Sequence, residues 1–160
     1  MIFKASLDTM AKVITGVITI IFTFVIIWPF FESRDTDAGY EFYRSAIVLI
    51  SYLAAWAYSP RQYAITADAL VIFRMAGNVV IPKSTIATAK FLDKGFPFAI
   101  RTFAVDGLFG YFGTFYNPAN GKMTCYITNR NKCILVTTDK GKKIVISPDE
   151  KESFMTALQQ

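Results

Sequence analysis

The chain has 160 residues, 53% of them hydrophobic and 16% aromatic, with 18% charged and a formal net charge of +5. That apolar weight excludes a disordered chain, which needs low hydrophobicity and high charge. The absence of histidine removes His-based triads, His-rich metal sites and most general-base designs.

The first element is an uncharged apolar run, Val13 to Phe31. At about 1.5 Å per residue a helix of that length covers about 28 Å, close to a bilayer core of about 30 Å. Trp28, Phe30 and Phe31 supply interfacial aromatics at one end, and Pro29 suits a helix terminus. A second run, Ser45 to Pro60, is shorter. Arg44 can snorkel there, and Tyr40 to Tyr43 can extend the helix into the interface. Residues 1–60 are therefore expected to form a transmembrane hairpin with helices at about 13–31 and 43–60. The two competing explanations are a cleaved signal peptide and a pair of buried core helices. The first run is longer than a signal core and lacks a small-x-small site after it, and an uncharged run of this length is unusual in a soluble core.

Flanking charge sets the expected orientation. Lys4 and Lys12 precede the first run, and Arg61 and Arg74 follow the second. The loop from Glu32 to Arg44 holds two basic and four acidic residues. The bias favours both termini in the cytoplasm and an acidic loop outside. No charge lies inside either run, so the hairpin reads as an anchor and not as an ion path. The expected setting is the bacterial cytoplasmic membrane, with membrane lipids as the hairpin's partners.

From Arg61 the pattern changes to short strands with regular turns. Tyr63–Thr66, Ala69–Met75, Val79–Ile81 and Ile86–Leu92 read as strands, with a tight turn at Ala76-Gly77-Asn78. Phe96 to Asp106 is ambiguous, since Pro97 suits an edge or an irregular segment. Met123–Thr128, Cys133–Thr138 and Lys142–Ser147 follow as serial hairpins. A turn at Asn129–Lys132 would place Thr128 opposite Cys133. Cys125 and Cys133 would then face opposite sides of the sheet and form no disulfide. The chain closes with Ser147-Pro148-Asp149-Glu150, a capping-box pattern, and Phe154, Ala157 and Leu158 on one helical stripe. The sum is a mainly-β barrel of about seven antiparallel strands at 61–160, with a C-terminal capping helix.

This order resembles the pleckstrin-homology superfold, and in detail the bacterial PH-like domain proteins in which a transmembrane hairpin precedes the domain. The stretches that carry the resemblance are Tyr63–Leu70, Ile81–Ile86, Gly107–Phe115 and Ile146–Glu150 with Phe154. The resemblance implies a fold and a membrane setting, but no activity. Eukaryotic relatives recognise phosphoinositides with basic residues around the first strand–strand loop. Here that loop, Thr66-Ala67-Asp68, is short and acidic, so that function is not carried over.

Chemical motifs are absent. No P-loop, H-E-x-x-H or G-x-S-x-G occurs, Cys125 and Cys133 match no zinc or redox spacing, and Gly107, Gly110 and Gly113 do not fit the dinucleotide fingerprint. No catalysis, cofactor or metal is expected. Residues 61–160 carry thirteen Lys and Arg against seven Asp and Glu. That excess suits attraction to anionic lipid, or simply orientation and solubility. No basic stripe with interleaved aromatics marks nucleic-acid binding.

The segment Phe96 to Tyr116 holds eight aromatics and three glycines spaced three apart. Its rings either fill the barrel end or form a recognition loop. Gly107, Phe109, Gly110, Tyr111, Phe112 and Gly113 are the candidate partner-binding residues, with at least one of the three rings expected to be exposed at the rim. The expected function is a membrane-anchored binding or scaffolding module with an unknown protein partner, self-association being compatible. The alternative is an accessory subunit held in a membrane complex by its helices.

Overall fold

The computed structural model describes residues 1–28, 31, 38–92, 100–118 and 120–159. Pro29 and Phe30, residues 32–37 of the loop between the two apolar runs, and Phe96-Pro97-Phe98 lie outside the described residues.

The first helix, α1 (Thr9–Ile27), starts four residues before the apolar run because Asp8 caps it. The Asp8 carboxylate accepts from the Ala11 N–H at 2.7 Å, satisfying one of the free donors of the first turn. The second helix, α2 (Ala38–Tyr58), likewise begins upstream of its apolar run. The two pack antiparallel. Thr19 Oγ1 and Tyr52 OH share a hydrogen bond of 2.8 Å, and Arg44 Nη2 donates to the Val25 carbonyl at 3.3 Å. Arg44 also pairs with Glu41 at 2.6 Å. Among the described residues α1 is the one helix long and apolar enough to cross a membrane, and 6% of its apolar window is buried.

Ten strands form two sheets among the described residues. One sheet has the order β1-β2-β3-β4, built from β1 (Ile2–Lys4), β2 (Gln62–Ile65), β3 (Ala69–Phe73) and β4 (Val79–Pro82). The other has the order β5-β9-β10-β8-β7-β6. It is built from β5 (Ile86–Phe91), β6 (Ile100–Asp106), β7 (Tyr111–Asn117), β8 (Gly121–Ile127), β9 (Ile134–Thr138) and β10 (Lys143–Ile146). A short helix, α3 (Lys151–Gln159), follows.

Several expectations need correction. The strands do not close into one barrel, and one pair, β8 with β10, is parallel. β1 pairs with β2 through Phe3 and Tyr63, so a strand from before residue 61 joins the smaller sheet. β8 and β9 are not neighbours, because β10 lies between them and sets Cys125 beside Val145. Alternation reports which face a residue takes but not which strand lies alongside. Cys125 and Cys133 therefore belong to the same buried cluster, not to opposite faces. Both are free; two strand spacings are about 9–10 Å, beyond disulfide reach.

Ser147 does not cap α3. It is fully buried, and its hydroxyl accepts from the Thr128 and Asn129 N–H groups at 2.8 and 3.1 Å. The first helical bond of α3 runs instead from Phe154 N–H to the Glu150 carbonyl. The helix still buries Phe154 and Ala157, with Met155 beside them.

Two hydrophobic clusters lie on opposite faces of the larger sheet. One joins both sheets and α3 through Tyr63, Leu70, Ile72, Ile144, Ile146 and Phe154. The Tyr63 hydroxyl donates to the Tyr126 carbonyl at 2.6 Å and accepts from Ser147 N–H at 3.2 Å. Burial pushes that phenol up to about 12. The other cluster gathers Tyr111, Phe115, Met123, Cys125, Leu135 and Val145 with Ala11 of α1.

Candidate functional site

The glycine-aromatic segment is a β-hairpin, not a free loop. β6 runs in, residues 107–110 turn, and β7 returns, with Asp106 opposite Tyr111. The Gly107 N–H closes the turn on the Gly110 carbonyl at 2.8 Å. Gly107 and Gly110 have φ of 103° and 122°, and Phe109 sits at 57°. Glycine reaches such angles without side-chain conflict. At Gly110 the approach is also close, since a Cβ would meet the Ile127 carbonyl oxygen at 2.7 Å.

The turn touches the chain's own helices. The Phe109 N–H donates to Thr15 Oγ1 at 2.9 Å, and Thr15 Oγ1 donates to the Gly107 carbonyl at 3.3 Å. Ser59 Oγ, just past α2, donates to the Phe109 carbonyl at 2.5 Å. The Phe109 ring meets Tyr52 edge-on, with centroids 5.1 Å apart. Tyr111 and Phe112 are buried, and Phe109 is half-buried. None of the three rings is freely exposed, which corrects the expected exposure at the rim. The helices lie where a partner was expected to lie. Gly113 is an interior residue of β7, paired with Cys125 and Ala104.

A second joint forms at the start of α1. Besides capping the helix, the Asp8 carboxylate accepts from Tyr111 OH at 3.0 Å and from the Arg130 N–H at 3.1 Å. The Asp8 N–H itself donates to the Thr128 carbonyl. The Arg130 guanidinium covers the Tyr111 ring at 4.0 Å and pairs with Asp106. Burial first, then the Asp8 carboxylate, pushes the Tyr111 phenol up to about 12. A third joint lies at the other end of α2, where the Ala76 N–H of the β3–β4 turn donates to the Ala57 carbonyl at 2.9 Å. This satisfies one of the open acceptors at a helix C-terminus.

Asp8, Thr15, Tyr52, Ser59 and Arg130 are thus the residues that sequence reasoning missed. A signal existed for two of them: Asp8 is a helix-capping residue type one turn ahead of the apolar run, and Thr15, Thr19 and Thr23 recur at i, i+4 on one face of that run.

The two thiols sit in the core. Burial pushes the Cys125 thiol up, and pushes Cys133 up to about 12, so both stay protonated at neutral pH. Thiolate is the reactive form, and neither residue supplies it. Among the described residues no three His, Cys, Asp or Glu gather to hold a metal.

The family model of the bacterial PH domain matches residues 61–160. No curated protein and no solved structure matches the chain. The matched span is more than half of the chain, and the chain belongs to the bacterial PH domain family.

Proposed function

We propose that this member of the bacterial PH domain family is a non-catalytic binding or scaffolding module, tethered by its helical hairpin to the cytoplasmic face of the inner membrane. The observation that carries the tether is the bareness of α1. Its mean hydropathy is 2.4, yet 6% of its apolar window is covered by the rest of the chain. Val17, Ile20, Ile21 and Phe24 on α1 and Ile47, Ile50 and Leu53 on α2 are exposed. A core helix would be covered, and a helix this apolar left open to water would be a large patch of the kind that marks a membrane or protein contact. Cleavage behind α1 would remove β1, Phe3 and the Asp8 joint from the domain, which supports a retained anchor over a signal peptide.

The tether is tested by fractionating cells that express the full chain. The protein should sediment with membranes, resist an alkaline wash and dissolve only with detergent. Replacing Ile20 and Phe24 together by Lys should release it, because each charge at mid-bilayer costs about 2.5–3.5 kcal/mol. A wild-type chain that stays in the detergent-free supernatant would overturn the proposal. Orientation is read by an impermeant thiol reagent on intact spheroplasts, using Ser33→Cys and Lys122→Cys. Labelling at 33 and not at 122 is expected; the reverse would overturn the topology. The two native thiols are buried and leave the reading clean.

A further inference from the structure

A cleft of about 420 Å³ opens beside the last turn of α2. Its walls are Tyr58, Phe112, Tyr126, Val105 and Thr114, and its charged group is Arg74. It lies between the end of α2, the end of β3 and the β6–β8 face of the larger sheet. It is at the opposite end of β3 from the acidic loop Thr66–Asp68.

Arg74 is held but not neutralised. Its guanidinium lies 5.5 Å from the Tyr58 ring centroid and 5.4 Å from that of Tyr126. Its Nε donates to the Gly77 carbonyl at 3.0 Å, which fixes the plane of the group. Among the described residues no carboxylate pairs with it, and its two terminal nitrogens have no acceptor. A guanidinium presents paired N–H donors that match a phosphate or carboxylate. The lining residues include no acid. The cleft thus offers one anion-binding group at the head of an apolar slot.

Position selects the source of the anion. On α2, Tyr58 is fourteen residues from Arg44, about 21 Å along the axis. If the Arg44–Glu41 pair marks the far side of the apolar layer, Tyr58 stands at its near side. Trp56 is at the same level, covered by Arg61 at 4.3 Å. Aromatic rings with arginines are the usual dress of a headgroup layer. We infer that the cleft is a lipid site: it takes one anionic lipid, with the phosphate on Arg74 and the adjoining chain against Phe112, Tyr126 and Val105. The inference rests on the membrane tether proposed above.

The experiment is native mass spectrometry of the full chain purified in a neutral detergent, with added phosphatidic acid, phosphatidylcholine or inorganic phosphate. One phosphatidic acid molecule should be retained per chain, in preference to phosphatidylcholine. Arg74→Gln should weaken retention by about tenfold or more, since a charge-assisted hydrogen bond is lost. Arg74→Lys should restore part of it, and Arg61→Gln should leave it unchanged. Val105→Trp, which fills the slot, should weaken retention with Arg74 intact. Equal retention of phosphatidylcholine, or unchanged retention in Arg74→Gln, would overturn the site. So would inorganic phosphate bound as tightly as the lipid, because the slot would then contribute nothing. Protection of Cys125 and Cys133 from a thiol reagent shows that each variant is folded. Arg74→Gln should still sediment with membranes, so loss of the site and loss of the tether are read separately.

Discussion

Replacing Gly110 by alanine puts a single methyl group against a backbone atom that cannot move aside. The new Cβ would lie 2.7 Å from the Ile127 carbonyl oxygen, and that carbonyl belongs to the end of β8, the strand β7 pairs with. The residue must also hold φ of 122°, which an L side chain resists. The backbone strain costs about 1–2 kcal/mol, and forced overpacking about 1–3 kcal/mol. A total near 3 kcal/mol lowers the unfolding midpoint by about 10 °C in a chain of this size. Gly121→Ala is the control. Its φ is 71°, but nothing lies within 4 Å of its Cβ, so only the strain remains and the drop should be about half as large. The assay is thermal unfolding of the full chain in neutral detergent, followed by tryptophan fluorescence. Equal midpoints for the two variants would refute the close approach of the turn to β8.

Removing the Tyr63 hydroxyl with phenylalanine should cost about 1–3 kcal/mol, because the Tyr126 carbonyl and the Ser147 N–H lose a buried partner; a midpoint equal to the wild type would refute that network. Stability should also depend on alkaline pH. Cys133, Tyr63 and Tyr111 have folded pKa values raised from 9.0, 10.0 and 10.0 to about 12. Their unfolded forms release protons first, so their contribution is complete below about pH 9 and is lost between about pH 9 and 12. A urea midpoint that is flat across that window would contradict the burial of these groups. Residues 61–160 produced alone lack β1, Phe3 and Asp8, and should unfold at lower temperature than the full chain; equal midpoints would show that β1 adds nothing.

Much of the domain is readable before any coordinates, and the reasons are local. β3 alternates in plain sight, and Gly77, at φ of 106°, turns it into β4. The α3 stripe of Phe154 and Ala157 follows helical spacing. What escapes the sequence is set by distant partners. β1 is three residues long, and its partner is some sixty residues away. The parallel pairing of β8 with β10 leaves the alternation of both strands unchanged, so period cannot reveal it. Ser147 has the residue type of a cap, yet its hydroxyl is claimed by Thr128 and Asn129. The three glycines of the candidate loop announce unusual backbone angles. They do not announce that α1 and α2 occupy the space against the turn.

That occupancy has a consequence for reach. The turn at 107–110 meets α1 at Thr15, so the first turns of the helix run alongside the domain. Gly16 to Ile27 are left to project beyond it, about 18 Å of helix. A typical hydrocarbon layer is about 30 Å thick. If the hairpin is the membrane tether proposed above, an anchor this short would favour a thin membrane, or thin the one it enters, at a cost of fractions of a kcal/mol for each Å of mismatch. Several copies sharing one thinned patch would then deform less lipid than the same copies apart, so a hairpin this short would itself act as a weak force drawing copies together.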